Sequence, residues 1–96
     1  MRVMAKAWWH GELLAESDDI RTMDGYDYFP PEAVNEQFFR ESKTQTECPR
    51  KGTAHYYHIQ VDSDVNVDAA WYYPAPKKAA SHIKNYVAFW RGVEIE

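Results

Sequence analysis

Cysteine is nearly missing from this chain: Cys48 is the only one in 96 residues. A single thiol excludes an internal disulfide and a four-thiolate zinc site. It points to a reducing cytoplasm as the expected location. No apolar run approaches the roughly 20 residues that a membrane-spanning helix needs, so no membrane partner is expected. The opening stretch, Met1 to His10, has no long apolar run behind its charges and is not expected to act as a signal peptide. Internal repeats, low-complexity tracts and linkers are also lacking. Positive charge is scarce: 11 Lys and Arg stand against 15 Asp and Glu, a formal net charge of −4. That field repels a phosphate backbone, so nucleic acid is not an expected partner. Arg40, Lys43, Arg50 and Lys51 lie close together in sequence, but Glu41 and Glu47 dilute the patch.

Aromatics, by contrast, are abundant at 16% and suggest a core built from a few large side chains. The length is that of one domain, expected to span residues 1–96. Such a chain buries somewhat more than half of its unfolded surface, so it needs neither metal nor disulfide to fold.

Local patterning is mostly that of strands. Val3 to Trp9 and Glu12 to Glu16, split by His10-Gly11, predict a β-hairpin. Ile20 to Met23 and Tyr26 to Phe29, around Asp24-Gly25, predict a second, ended by Pro30-Pro31. Pro31 to Ser42 has room for one or two helical turns, and the polar stretch from Lys43 to Thr53 reads as loop. Ala54 to Val61 is the clearest strand. It sets His55, Tyr57, Ile59 and Val61 on one face and Tyr56, His58 and Gln60 on the other. Asp62-Ser63-Asp64 turns the chain, and Val65 to Tyr73 returns with a bulge expected around Asp68. Pro74 and Pro76 stop the sheet. Lys77 to Asn85 is the best helix candidate, with Ala79, Ala80 and Ile83 on one side. Tyr86 to Trp90 and Val93 to Ile95 are further strands. The expected fold is therefore a β-dominated α+β domain of short antiparallel strands with one short helix near 77–85. The pattern carries no pairing order.

Residues capable of chemistry concentrate between Thr46 and Pro76. Cys48, followed by Pro49 and near Arg50 and Lys51, has two readings. Adjacent cations stabilise a thiolate and would make it nucleophilic; alternatively it is a small side chain anchoring the loop. Lys51-Gly52 resembles the end of a phosphate-binding loop, but the upstream glycine and following helix of that motif are missing. What survives is a looser anion site built from Lys51, Arg50 and turn amides, set against a plain solvated turn. His55 and His58, three apart on a strand, point to opposite faces and cannot share a metal. Asp62-x-Asp64 resembles a magnesium-holding carboxylate pair, yet its neighbours read as strand ends and its residues as an ordinary turn. Trp71 and Tyr73 share one face of their strand, with Tyr72 opposite. They, Tyr57 and Tyr28 are either core or the wall of a pocket.

Four runs carry a resemblance that covers nearly the whole chain in order. They are Tyr28-Phe29-Pro30; Thr46-x-Cys48-Pro49-x-Lys51-Gly52-x-Ala54-x-Tyr56; Ala69-Ala70-Trp71-x-Tyr73-x-x-Pro76; and Tyr86-Val87-Ala88-Phe89. Together they resemble the domain-of-unknown-function 427 family. The resemblance implies a small, β-rich, mostly bacterial domain, similar in shape to a β-tent. It also implies a shared local structure around Tyr28, Cys48, Lys51, Tyr56, Trp71 and Tyr73. Some members carry a nucleotidyltransferase-type label, which the residues here do not support: there is no Gly-Ser loop, and the acidic pair reads as a turn. The cysteine pairs that bind zinc in other β-tent proteins are absent, so no metal or other cofactor is expected.

Three functional readings follow. In the first, the domain is a small-molecule or anion-binding module. Arg50 and Lys51 hold the negative group of a small anionic ligand beside an aromatic wall of Tyr28, Tyr56, Trp71 and Tyr73. The second is an enzyme with Cys48 as thiolate nucleophile, activated by Lys51 or a nearby histidine. The third is an adaptor or structural subunit with no site of its own; the sequence assigns no oligomeric state.

Overall fold

Two-residue turns shape the first part of the fold. In the computed structural model, which describes residues 3–96, β1 (Ala5–Trp9) returns through His10-Gly11 as β2 (Glu12–Ser17). β3 (Arg21–Met23) returns through Asp24-Gly25 as β4 (Tyr26–Tyr28). All four turn residues have positive φ, between 49° and 84°, the backbone that matches the twist of the strands they join.

The remaining strands are β5 (Phe39–Cys48), β6 (Gly52–Val61), β7 (Asp64–Tyr72), β8 (Val87–Phe89) and β9 (Glu94–Ile95). β5-β6-β7-β8 form an antiparallel sheet in that order, and β2-β1-β9 form a second. The β3–β4 hairpin fastens to β8 through Phe29 and Val87, whose backbones exchange two hydrogen bonds of 2.8 Å. The β-dominated architecture agrees with the sequence.

The four-stranded sheet is covered on both faces, and side-chain alternation divides its residues between two cores. Tyr57, Ile59, Ala70, Tyr72, Val87 and Phe89 turn toward β1 and β2, where Ala7, Leu14, Ala15 and Phe29 meet them. Ala54, Tyr56, Trp71, Tyr73 and Ala88 turn the other way, toward Tyr28, Ala80, Ile83 and Tyr86. Adjacent residues Tyr28 and Phe29, both fully buried, thus belong to different cores.

The bulge on β7 falls where the sequence placed it. Between the pairs Tyr57↔Ala70 and Ile59↔Asn66, Val67, Asp68 and Ala69 oppose the single residue His58. Asp68 takes φ 52°, and its carboxylate accepts hydrogen bonds from Ser42 and Thr44 on β5.

Parts of the chain differ from expectation. Phe39 to Ser42, expected within helical turns, and Lys43 to Cys48, expected as loop, together form β5. The helical segment near 77–85 is a 3-10 helix, Lys78–Ile83, interrupted at Ala80. Its buried residues, Ala80 and Ile83, are three apart, which suits the three-residue repeat of a 3-10 turn. The turns expected after Pro31 are 3-10 as well, Pro31–Ala33 and Glu36–Phe38. No helix among the described residues is long and apolar enough to cross a membrane.

Candidate functional site

The Cys48–Gly52 segment is the turn between β5 and β6. Pro49, with its fixed φ, occupies the second turn position, and the Lys51 amide donates to the Cys48 carbonyl at 3.3 Å. Gly52 has φ 115°, and a Cβ there would lie 3.2 Å from the Ala75 carbonyl oxygen. The glycine is therefore needed for close packing of the Pro74–Lys77 segment rather than for contact with phosphate. That segment is tied down by the Lys77 amide donating to the Lys51 carbonyl, and by Lys77 Nζ donating to the Pro49 carbonyl, both at 2.8 Å.

Held this way, the Lys51 side chain runs inward and is only 11% exposed, while Arg50 stays in solvent. Both reach Asp24 at the tip of the β3–β4 hairpin: Lys51 Nζ at 2.8 Å and Arg50 Nη2 at 3.2 Å. The Lys51 hydrogen bond, with the charges of both cations, holds the Asp24 carboxyl below its usual range despite some desolvation. Desolvation pulls the Lys51 ammonium down, but Asp24 and the nearby Tyr28 and Tyr73 phenols raise it above its ordinary value. Lys51 is thus a fixed cation at neutral pH. Two cations share one carboxylate, which leaves one positive charge uncompensated within this group.

Lys51 closes one side of a cleft of about 200 Å³ lined by Tyr26, Tyr56, Trp71, Tyr73 and Trp90. Trp71 meets Tyr26 edge-on at 4.9 Å and Trp90 at 5.6 Å between ring centroids. Its Nε1–H donates to the buried Tyr28 hydroxyl at 3.2 Å, so Tyr28 supports the wall from behind and does not line the cleft. Tyr56 shares a 2.9 Å hydrogen bond with Thr46 Oγ1. Burial, with the neighbouring Tyr28 phenol, pushes the Tyr73 hydroxyl up to about 12. The Lys51 ammonium and the phenol hydroxyls make the cleft a set of hydrogen-bond donors on an aromatic wall.

Cys48 lies apart from this cleft. It lines a groove of about 500 Å³ with Glu47, Pro49, Gly52, Thr53 and Lys77. The backbone N–H groups of Arg50 and Lys51 are the main influence holding its thiol below the ordinary value, aided by the two side-chain cations. The turn thus separates Cys48 and Lys51 into neighbouring grooves.

A family model described as Domain of unknown function (DUF427) matches residues 2–96. The chain belongs to this family. No curated protein matches it.

In this DUF427 chain the acidic pair Asp62 and Asp64 sits at the β6–β7 turn, where Asp64 faces His10 Nδ1 at 3.2 Å. His55 packs against Tyr72, while His58 Nδ1 accepts the Asp68 amide at 3.1 Å. No group of three metal-ligating side chains occurs among the described residues. Sequence reasoning missed Asp24, Tyr26 and Trp90. Asp24-Gly25 has a turn signature that fully accounts for its residue types, and nothing local links Asp24 to Lys51. Tyr26 opens β4, Trp90 follows β8, and both reach Trp71 only through the fold.

Proposed function

We propose that this DUF427 domain is a small-molecule binding module whose ligand presents a negatively charged or strongly hydrogen-bond-accepting group to Lys51. Arg50 adds positive charge at the rim, Tyr56 and Tyr73 offer hydroxyl donors, and Trp71, supported by Tyr28, receives the flat or apolar part of the ligand. One observation carries this reading: a largely buried lysine bounds an aromatic cleft, although turn and wall lie on different strands. A reducing cytoplasm, inferred from the lone free thiol, is the compartment that suits it.

Thermal-shift screening against inorganic phosphate, mononucleotides and small aromatic carboxylates tests the proposal, with tryptophan fluorescence as a second readout. A ligand present at about 100 times its Kd stabilises the fold by about 2.7 kcal/mol. Lys51→Met should lose most of that gain, while a substitution of the distant, exposed Val65 should keep it. A stabilisation that persists unchanged in Lys51→Met removes the lysine from the site and sinks the reading.

A second reading follows from the lowered thiol of Cys48, beside backbone donors and two cations. Cys48 then acts as a thiolate nucleophile in its own groove, with Lys77 nearby. Iodoacetamide labelling of the folded protein should rise with pH to a midpoint below that of a free thiol. A thiol that stays unlabelled across the whole range ends that reading.

A further inference from the structure

The opposite face of the four-stranded sheet carries a cleft of a different character. About 490 Å³ in volume, it is walled by Phe39, Tyr57, Tyr72 and Val87, with Glu36 and Glu41 among its lining. Tyr57 and Tyr72 are stacked, with centroids 4.8 Å apart and planes 23° from parallel, and Phe39 meets Tyr57 edge-on at 5.4 Å. None of the lining residues is basic. The Tyr72 hydroxyl points to Glu41 Oε1 at the long distance of 3.5 Å. Neither Glu36 nor Glu41 takes part in an ion pair among the described residues.

We propose that this cleft binds a small organic ammonium ion, with the cation beside the stacked Tyr57–Tyr72 pair, on whatever ring surface the stack leaves open, and its charge matched by Glu36 and Glu41. Aromatic faces attract cations through their ring quadrupole, and desolvated walls strengthen that attraction. Uncompensated carboxylates beside them add attraction of the same sign. Both carboxylates, with burial as the leading cause, raise the Tyr57 phenol, so they act on the same space as the ring. An anionic ligand is disfavoured here for the same reason. The chain thus presents opposite polarities on the two faces of one sheet, since adjacent β7 residues Trp71 and Tyr72 line different clefts.

The test uses choline chloride and its uncharged isostere 3,3-dimethylbutan-1-ol, titrated into the full chain and followed by amide NMR shifts. Choline should give saturable shifts at Glu36, Phe39, Glu41, Tyr57 and Tyr72, with affinity at least about tenfold above the isostere's. The Glu36→Gln, Glu41→Gln double variant alters two exposed side chains, and its own spectrum reports whether it is folded. It should bind choline about tenfold more weakly at low salt, and wild-type binding should weaken as salt rises. Lys51→Met should bind choline as wild type does, so this site and the Lys51 cleft stand or fall separately. Equal binding of choline and the isostere overturns the proposal, as do shifts that map elsewhere, the absence of saturable shifts, or an unaffected double variant.

Discussion

Asp24 sits in a two-residue turn, the kind of position where an aspartate is usually explained by backbone preference alone. Here its carboxylate also receives Lys51 and Arg50 from the β5–β6 turn, joining two hairpins that share no backbone ladder. The pH dependence of stability should report this contact. Because the Asp24 carboxyl is held below its unfolded value of 3.8, its contribution is fully present above that value. It is lost as pH falls through the lowered folded value, so unfolding free energy should drop as pH falls below about 4. Asp68, also held low by its Ser42 and Thr44 hydrogen bonds against desolvation, adds to the same limb. Urea denaturation from about pH 2 to pH 6 should therefore give a shallower acid limb for Asp24→Asn, without abolishing it. An acid limb identical to wild type would show that Asp24 is not linked to Lys51 in solution.

At the scale of elements, the β5–β6 turn depends on Gly52. Its φ of 115° lies where side chains are strained, and the Ala75 carbonyl occupies the space a Cβ would enter. Gly52→Ala should cost about 1–3 kcal/mol, read as a lower urea midpoint. It should also shift amide resonances at Lys51 and Lys77, whose backbones are hydrogen-bonded. A loss of less than 0.5 kcal/mol, about what a surface change gives, would mean that the Ala75–Lys77 segment relaxes freely. The hairpins around His10-Gly11 and Asp24-Gly25 were legible because positive-φ residues fall between alternating strands. β6 and β7 were legible through their alternation and the turn at Asp62. β5 was not: from Lys43 to Glu47 every residue is exposed, so no buried face imposes an apolar alternation. The helix near 77–85 was legible because alanines and lysines favour helical backbone, whereas its 3-10 form and its interruption at the buried Ala80 were not. In the candidate site, Lys51, Tyr56, Trp71 and Tyr73 were legible as residues with chemistry to offer. Their common cleft was not, because it depends on strand pairing that the pattern does not contain.

At the scale of the molecule, the junction of the β3–β4 hairpin with β8 joins the two cores. Phe29 is fully buried in one and meets Phe89 edge-on at 5.6 Å, while Tyr28 is fully buried in the other and accepts the Trp71 N–H. The Phe29–Val87 backbone bridge fixes both side chains at once, so loss of either core should loosen the other. Phe29→Ala should cost about 3–5 kcal/mol through lost burial and a residual cavity, a large share of the ~5–15 kcal/mol that holds a small domain together. Tyr28→Phe keeps the ring but leaves the Trp71 indole N–H without its acceptor, and should cost about 1–3 kcal/mol. Val65→Ala, at a side chain that is half exposed, should stay within about 0.5 kcal/mol of wild type. Urea titrations followed by tryptophan fluorescence and far-UV circular dichroism should give coincident transitions for each variant, shifted in that order. Separate transitions in Phe29→Ala would show that the two cores unfold independently, and that the backbone bridge does not couple them.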